Sequence, residues 1–166
     1  MLATMGHENK PVCLLFTDDD ENDFVLLSCA ARRAQLPVPV CWVKDGMELL
    51  AYLRRQGPYS NSIAYPKPAL ILLDLNMPRK NGHEALQDIR RDPGLCSVPV
   101  VILTTSRSVE DIQLTYEAGA NSFISKPAEF QRLVEIMELV KRYWFEAVAL
   151  PEIERGEDKA ARAGNV

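Results

Sequence analysis

Leu70-Ile71-Leu72-Leu73-Asp74-Leu75-Asn76-Met77-Pro78 is the stretch that decides the fold. Four aliphatic residues run straight into one carboxylate, and a proline follows four positions later. A short unbroken apolar run predicts a strand covered on both faces, as in a parallel sheet. Asp74 then falls where that strand ends, and open parallel sheets bind their ligands beyond the carboxyl ends of the strands. The bland alternative for such an aspartate is a cap or a turn former.

Working outward, the same pattern recurs. Residues 12–16 read as a strand ending at Thr17, followed by the acidic turn Asp18-Asp19-Asp20-Glu21-Asn22-Asp23. One of Asp20, Asn22 or Asp23 caps the next helix, and acids suit the positive end of its dipole. Phe24, Leu27, Ala31 and Ala34 recur at helical spacing. A second strand covers 38–43; Asp45-Gly46 marks a turn, and Met47, Leu50, Ala51 and Leu53 begin a second helix. Residues 57–68, with Gly57-Pro58, Pro66 and Pro68, predict a loop longer than usual between packed elements. The third strand covers 69–74, and a helix over 82–91 ends at Asp92-Pro93-Gly94. The fourth strand, 98–103, runs into Thr104-Thr105-Ser106, and Ser108 caps a helix reaching Ala118, with Gly119 at its end. A short fifth strand at 121–125 precedes Lys126-Pro127, and a long last helix covers 129–147. Strands alternate with helices five times, which predicts an α/β doubly wound parallel sheet with helices on both faces. Residues 11–150 form one domain in this reading, between a flexible arm at 1–10 and a flexible tail at 151–166.

Composition sets the outer bounds. The chain has 166 residues, 47% hydrophobic and 25% charged, enough for a core without metals or disulfides to hold it together. A net charge of −4 argues against nucleic acid or an anionic membrane as the main partner. No run spans a bilayer, and the polar N-terminal segment has no signal-peptide core, so the expected location is cytoplasmic. Cys13, Cys29, Cys41 and Cys96 include no C-x-x-C pair and read as buried reduced thiols. His7 and His83 lack metal-site neighbours and read as surface residues. Trp42 reads as core, and no Gly-rich loop supports nucleotide binding.

Asp18 and Asp19, Asp74, Thr104 and Lys126 each follow a strand end, so a doubly wound sheet brings them to one rim. Three carboxylates there repel one another and raise their pKa values unless a cation compensates. A hard divalent cation with oxygen ligands is the natural remedy, and Mg²⁺ typically takes one or two carboxylates plus a phosphate oxygen. Thr104 and Lys126 suit the remaining oxygens of a phosphoryl group. The set fits phosphoryl transfer to a carboxylate nucleophile.

The order Asp18-Asp19, Asp74, Thr104, Lys126-Pro127 resembles the receiver domain of two-component response regulators, over about residues 10–147. The resemblance implies a flavodoxin-like sheet of order 2-1-3-4-5 with five helices, and a histidine kinase that donates a phosphoryl group to Asp74. It implies that Asp19 ligates Mg²⁺ directly, that Asp18 acts mainly through water, and that the Asn76 carbonyl is a further ligand. Thr104 is the mobile hydroxyl and Lys126 the ion-pair partner of the phosphoryl group. Phe123 stands at the place of the switch aromatic, although a strand aromatic is also ordinary core. Asn76 and Ser106 stand where the family tunes dephosphorylation, and the Lys126-Pro127 bond is expected to be cis. The sequence from Gly57 to Asn76, Leu103-Thr104-Thr105-Ser106 and Tyr143-Trp144-Phe145-Glu146 further resemble the small stand-alone regulators that partner phytochrome histidine kinases. Thr17 departs from the aliphatic or acidic residue expected there, and Asp20 adds an acid.

The last helix carries two apolar stripes. Phe130, Leu133, Val134, Met137, Val140 and Trp144 form one; Ile136, Leu139 and Tyr143 form the other. Packing on a sheet needs one stripe. The excess, with Phe145 and Val148 beyond it, predicts a homodimer; the alternative is that the second stripe folds back on its own chain. Two rival functions remain at this point. A phosphorylation-independent protein-interaction module on the same fold would not need every one of these polar groups. An aspartyl-phosphate hydrolase would need a second acid where Asn76 stands.

Overall fold

The apolar runs form five strands: β1 (Val12–Thr17), β2 (Val40–Val43), β3 (Lys67–Leu73), β4 (Val100–Thr104) and β5 (Ser122–Ser125). All pair in parallel, in the order β2-β1-β3-β4-β5. Between and after them lie α1 (Glu21–Arg33), α2 (Gly46–Leu53), α3 (Gly82–Arg91), α4 (Val109–Glu117) and α5 (Phe130–Val140). This is the flavodoxin-like fold expected from the sequence. The structure, a computed structural model, describes residues 10–151. The expected arm and tail therefore lie outside the described residues, apart from Lys10 and Pro151.

Each inner strand supplies both cores, because successive side chains point to opposite faces. Cys13, Leu15, Ile71, Leu73, Val100 and Ile102 pack with α2 and α3. Leu14, Phe16, Leu70, Leu72, Val101 and Leu103 pack with α1 and α5. Burying one such aliphatic side chain is worth about 1.5–3 kcal/mol. The unbroken apolar run at 70–73 is thus explained by helices on both faces.

Four helices begin at a side-chain cap. Asp20 accepts from the Asn22 amide, and Asp45 accepts from the amides of Met47 and Glu48. Asn81 and Glu84 form a reciprocal capping box, and Ser108 accepts from the Asp111 amide. Each cap of this kind is worth about 1 kcal/mol.

Several boundaries differ from expectation. The 57–68 loop contains a 3-10 turn at Gly57–Ser60 and ends two residues early, because β3 already begins at Lys67. Tyr59 and Tyr65 of this loop cluster with Tyr52 of α2, Tyr65 edge to face with the other two rings, and the Tyr52 hydroxyl donates to the Pro66 carbonyl at 2.7 Å. The last helix is α-helical only to Val140 and widens into a π-helical segment at Lys141–Ala147. Ile136, expected on a free stripe, is only 7% exposed and sits in the α1–α5 core. Trp144 and Phe145 pack against the same cluster, and the Lys141 ammonium donates to the Ala34 carbonyl. Part of the second stripe therefore folds back on its own chain. Val148 is half-buried, whereas Leu139 and Tyr143 stay 59% and 55% exposed. The cysteines are free, but only Cys13 is fully buried; Cys29 and Cys96 are exposed. Cys29 falls on the solvent side of an amphipathic helix, a placement that cysteine's apolar character did not foretell.

Gly82 opens α3 against the end of β3. A Cβ there would lie 2.2 Å from the Asp74 carbonyl oxygen and 2.8 Å from the Leu75 Cα. Both are backbone atoms, so the strand end or the helix must move. Gly82→Ala is expected to lower stability by about 1–3 kcal/mol or more, as read by urea denaturation; an unchanged midpoint would mean that α3 docks with slack.

Candidate functional site

The ladder of the sheet continues one rung past the strands and fixes the site. The Asp18 amide donates to Val43 O at 3.1 Å, the Asp74 amide to Thr17 O at 3.0 Å, and the Lys126 amide to Thr104 O at 2.7 Å. Because β1 and β3 are neighbours, Asp18 and Asp74 face each other directly. One carboxylate oxygen each from Asp18, Asp19 and Asp74 lies within 4.8 Å of the others. Asp18 is 1% and Asp74 6% exposed, while Asp19 is open to solvent.

The Lys126 ammonium closes this pocket. It contacts Asp18 Oδ2, and it lies 2.8 Å from Asp23 Oδ2 and 3.3 Å from Asp74 Oδ2. Its pKa is raised: burial works against the charge, but the hydrogen bonds to Asp18 and Asp23 and the charge of Asp74 outweigh that. Asp18 is pushed up to about 6, first by burial, with the Asp74 charge adding and Lys126 and the Asp20 amide opposing. The other Asp74 oxygen, Oδ1, accepts from the Leu75 amide at 2.8 Å, which orients the carboxylate.

Of the residues expected at the site, the structure brings together Asp18, Asp19, Asp74 and Lys126. Thr104 is fully buried at the end of β4, and its hydroxyl receives a long contact of 3.5 Å from the Ser106 amide. Asn76 is exposed in the loop after β3, and Ser106 is half-buried in the loop after β4. Phe123 is half-buried and packs at the edge of the α2–α3 core. The Lys126-Pro127 bond is trans, contrary to expectation. The trans isomer is the intrinsically favoured one, and with it the ammonium already reaches its three carboxylates.

Two residues escaped the sequence reading. Asp23, read only as a possible cap, lies in the first turn of α1 and is an ion-pair partner of Lys126, a pairing that no sequence spacing announces. Trp42, read as core, stacks on Phe24 at 4.9 Å and donates from Nε1 to the Asp18 carbonyl at 2.8 Å. No sequence spacing links Trp42 to Asp18; only the β1–β2 register does.

The residues fit a divalent cation. Clustered carboxylate oxygens offer hard ligands, and burial, with a smaller addition from the Asp74 charge, raises the pKa of Asp18. This gives a pH signature in metal-free buffer. The native pKa of Asp18 stands above the unfolded value of about 3.9, so between about 4 and 6 the native state holds a proton that the unfolded chain has released. Stability therefore falls as pH rises through that window and is flat in this term above it. Asp18→Asn should remove up to roughly 3 kcal/mol of that slope, measured by urea denaturation in chelator at pH 4.5 and 7. Parallel curves for both proteins would deny that Asp18 is the strained acid.

Comparison with known proteins agrees with this site. The family model for the response regulator receiver domain matches residues 14–138. Response regulator Rcp1 of Synechocystis sp. is 35% identical over 143 residues, covering 86% of this chain and 95% of Rcp1. The crystal structure of the phosphorylated cyanobacterial phytochrome response regulator RcpA superposes with a TM-score of 0.78 at 37% identity, covering 86% of this chain and 99% of RcpA. The Mn²⁺-bound form of Rcp1 superposes at 0.76 with 33% identity, over 86% of this chain and all (100%) of that one. With its acidic pocket, its parallel sheet and these matches, the chain belongs to the response regulator receiver family.

Proposed function

We propose that this chain is a phytochrome-linked response regulator that takes a phosphoryl group from a histidine kinase onto Asp74, in the cytoplasm. The observation that carries the proposal is the convergence of Asp18, Asp19, Asp74 and Lys126 on one rim. The phytochrome link rests on the likeness to RcpA.

The transfer needs little covalent chemistry from the protein beyond its nucleophile. Asp74 Oδ2, on the Lys126 side of the pocket, forms the new O–P bond as the P–N bond of a phosphohistidine breaks. The imidazole leaves with the electron pair of that bond. Asp18, Asp19, Asp74 and the Asn76 carbonyl would hold Mg²⁺, which supplies charge neutralisation for the phosphoryl oxygens when bound; Rcp1 has a Mn²⁺-bound form. Lys126 moves from its carboxylate partners toward the phosphoryl oxygens, and Thr104 donates its hydroxyl to another. Phe123 follows Thr104 as the switch aromatic, and Asn76 and Ser106 tune hydrolysis. The chain thus promotes only its own phosphorylation and dephosphorylation.

We also propose a homodimer through the surface of α5. Leu139 and Tyr143 are one turn apart and exposed. Leu139 also lines a groove of about 550 Å³ with Phe123, Ile136, Val140 and Trp144. Ile136 contributes from within the core rather than as a free surface residue, and Phe145 and Val148 support the segment that follows.

Incubation with acetyl phosphate and Mg²⁺ should add one phosphoryl group to the intact mass. Asp74→Asn should lower that labelling at least about 100-fold while leaving the unfolding transition in place; normal labelling of the variant would move the acceptor elsewhere. For the dimer, sedimentation of the wild type should give twice the chain mass at micromolar concentration, with or without phosphorylation. Leu139→Glu with Tyr143→Ala should weaken association at least about tenfold. A wild type that stays monomeric in both states would remove the dimer from the function.

A further inference from the structure

Three polar side chains outside the acidic pocket form a continuous chain. Ser106 Oγ donates to Asp111 Oδ2 at 2.5 Å. The second oxygen of Asp111 lies 3.3 Å from His83 Nε2. Ser106 lies in the loop after β4, Asp111 in the first turn of α4, and His83 in the first turn of α3. His83 and Asp111 are both largely sheltered, with about 28% and 31% of their side chains exposed. A charge-assisted hydrogen bond of this length is among the stronger kinds.

The two ends of this chain differ in rigidity. His83 follows Gly82, which is pressed against the backbone of Asp74 and Leu75. The start of α3 is therefore fixed relative to the end of β3. Ser106 is two residues past Thr104, and its amide makes the contact to the Thr104 hydroxyl. The same loop is tied again by Ser108 N donating to Ser106 Oγ at 3.3 Å and by Ser125 Oγ donating to Ser106 O at 3.4 Å. Asp111 thus hangs between a fixed post and the loop that carries Thr104.

We propose that Asp111, braced by His83, is a positioning residue that restrains Ser106 and so holds the Thr104 loop back from the phosphoryl group. This rests on Asp74 as the acceptor. Closure of Thr104 on a phosphoryl oxygen draws residues 105–106 with it, and the Ser106–Asp111 bond must stretch or break. The trio biases the resting protein toward the open loop, and phosphorylation proceeds from the closed minority. Neither Asp111 nor His83 touches the phosphoryl group; both act through Ser106.

The test uses the full chain with acetyl phosphate and Mg²⁺, reading the phosphorylation rate by intact mass. Asp111→Ala should raise the rate about three- to tenfold, the range expected for one partly sheltered, charge-assisted hydrogen bond. Asp111→Asn keeps an acceptor oxygen for Ser106 and should stay within about twofold of wild type. Ser106→Ala tests the same link from its other end and should also accelerate, and it decides the matter if Asp111→Ala does not fold. The double variant Ser106→Ala/Asp111→Ala should be no faster than the faster single, because both break one bond. His83→Ala should accelerate in the wild-type background and do nothing in Asp111→Ala. A wild type that labels on Asp74 while Asp111→Ala or Ser106→Ala is no faster would overturn the latch. So would additive effects, or an Asn variant as fast as the Ala variant. A wild type that does not label at all would instead count against the acceptor assignment.

Discussion

The Lys126 ammonium holds together a pocket that would otherwise push itself apart. Two unit charges about 5 Å apart repel by about 3 kcal/mol at the effective dielectric of a protein site, and Asp18, Asp19 and Asp74 make three such pairs. Asp23 brings a fourth carboxylate against the same ammonium. Four negative charges and one positive leave a formal charge of −3, so Lys126 reduces the repulsion without ending it. The Asp74 charge adds to the burial that raises the pKa of Asp18. A pocket in this condition is poised for a divalent cation.

The backbone decides which residues share that pocket. Asp18, Asp74 and Lys126 each use their amide to add one more bond to the sheet ladder. Asp18 and Asp74 are therefore as firmly placed as β1 and β3, which are buried on both faces, while Lys126 extends the half-buried edge strand β5. Residue type then follows from distance. Asp18 and Asp74 sit on adjacent strands, where a short carboxylate suffices. Lys126 comes from β5, two strand spacings or about 10 Å from β3, and a short side chain there would stop before Asp74. Arginine would also reach, but its planar fork suits one bidentate partner better than three separate carboxylates.

Much of this was legible in the sequence because it depends on short-range patterns. Apolar runs flanked by turn residues marked the strands, and helical spacing with turn residues, a cap among Asp20, Asn22 and Asp23, and another at Ser108 marked the helices; that Asp45 and Asn81 are caps as well showed only in the structure. The order Asp18-Asp19, Asp74, Thr104, Lys126 was enough to predict one rim. What stayed hidden depends on register and packing. Nothing in the spacing of Trp42 and Asp18, or of His83, Asp111 and Ser106, announces contacts that cross between elements. The burial of Ile136 shows the limit of counting stripes, since α5 is wedged against α1 and uses a wider face than one stripe. Cys29 and Cys96 show that a residue's usual burial yields to its place on the helix or turn. The trans Lys126-Pro127 bond shows that the lysine reaches its partners from the ordinary isomer.

Lys126 also connects the pocket to the outside of the molecule. Its ammonium lies among the carboxylates, while the residue lines, with Pro127, the groove that Leu139 and Trp144 border. The amide of Lys126 is held by the Thr104 carbonyl, and the neighbouring Ser125 hydroxyl by the Ser106 carbonyl. With its own amide bound into the sheet ladder, Lys126 takes up a change in the ammonium's partner mainly through its side chain. The same residue therefore borders both the pocket and the groove, and no long chain of intervening residues separates the two. The exposed Leu139 lines that same groove, so an apolar surface residue of α5 and the pocket's ammonium-bearing residue share one wall.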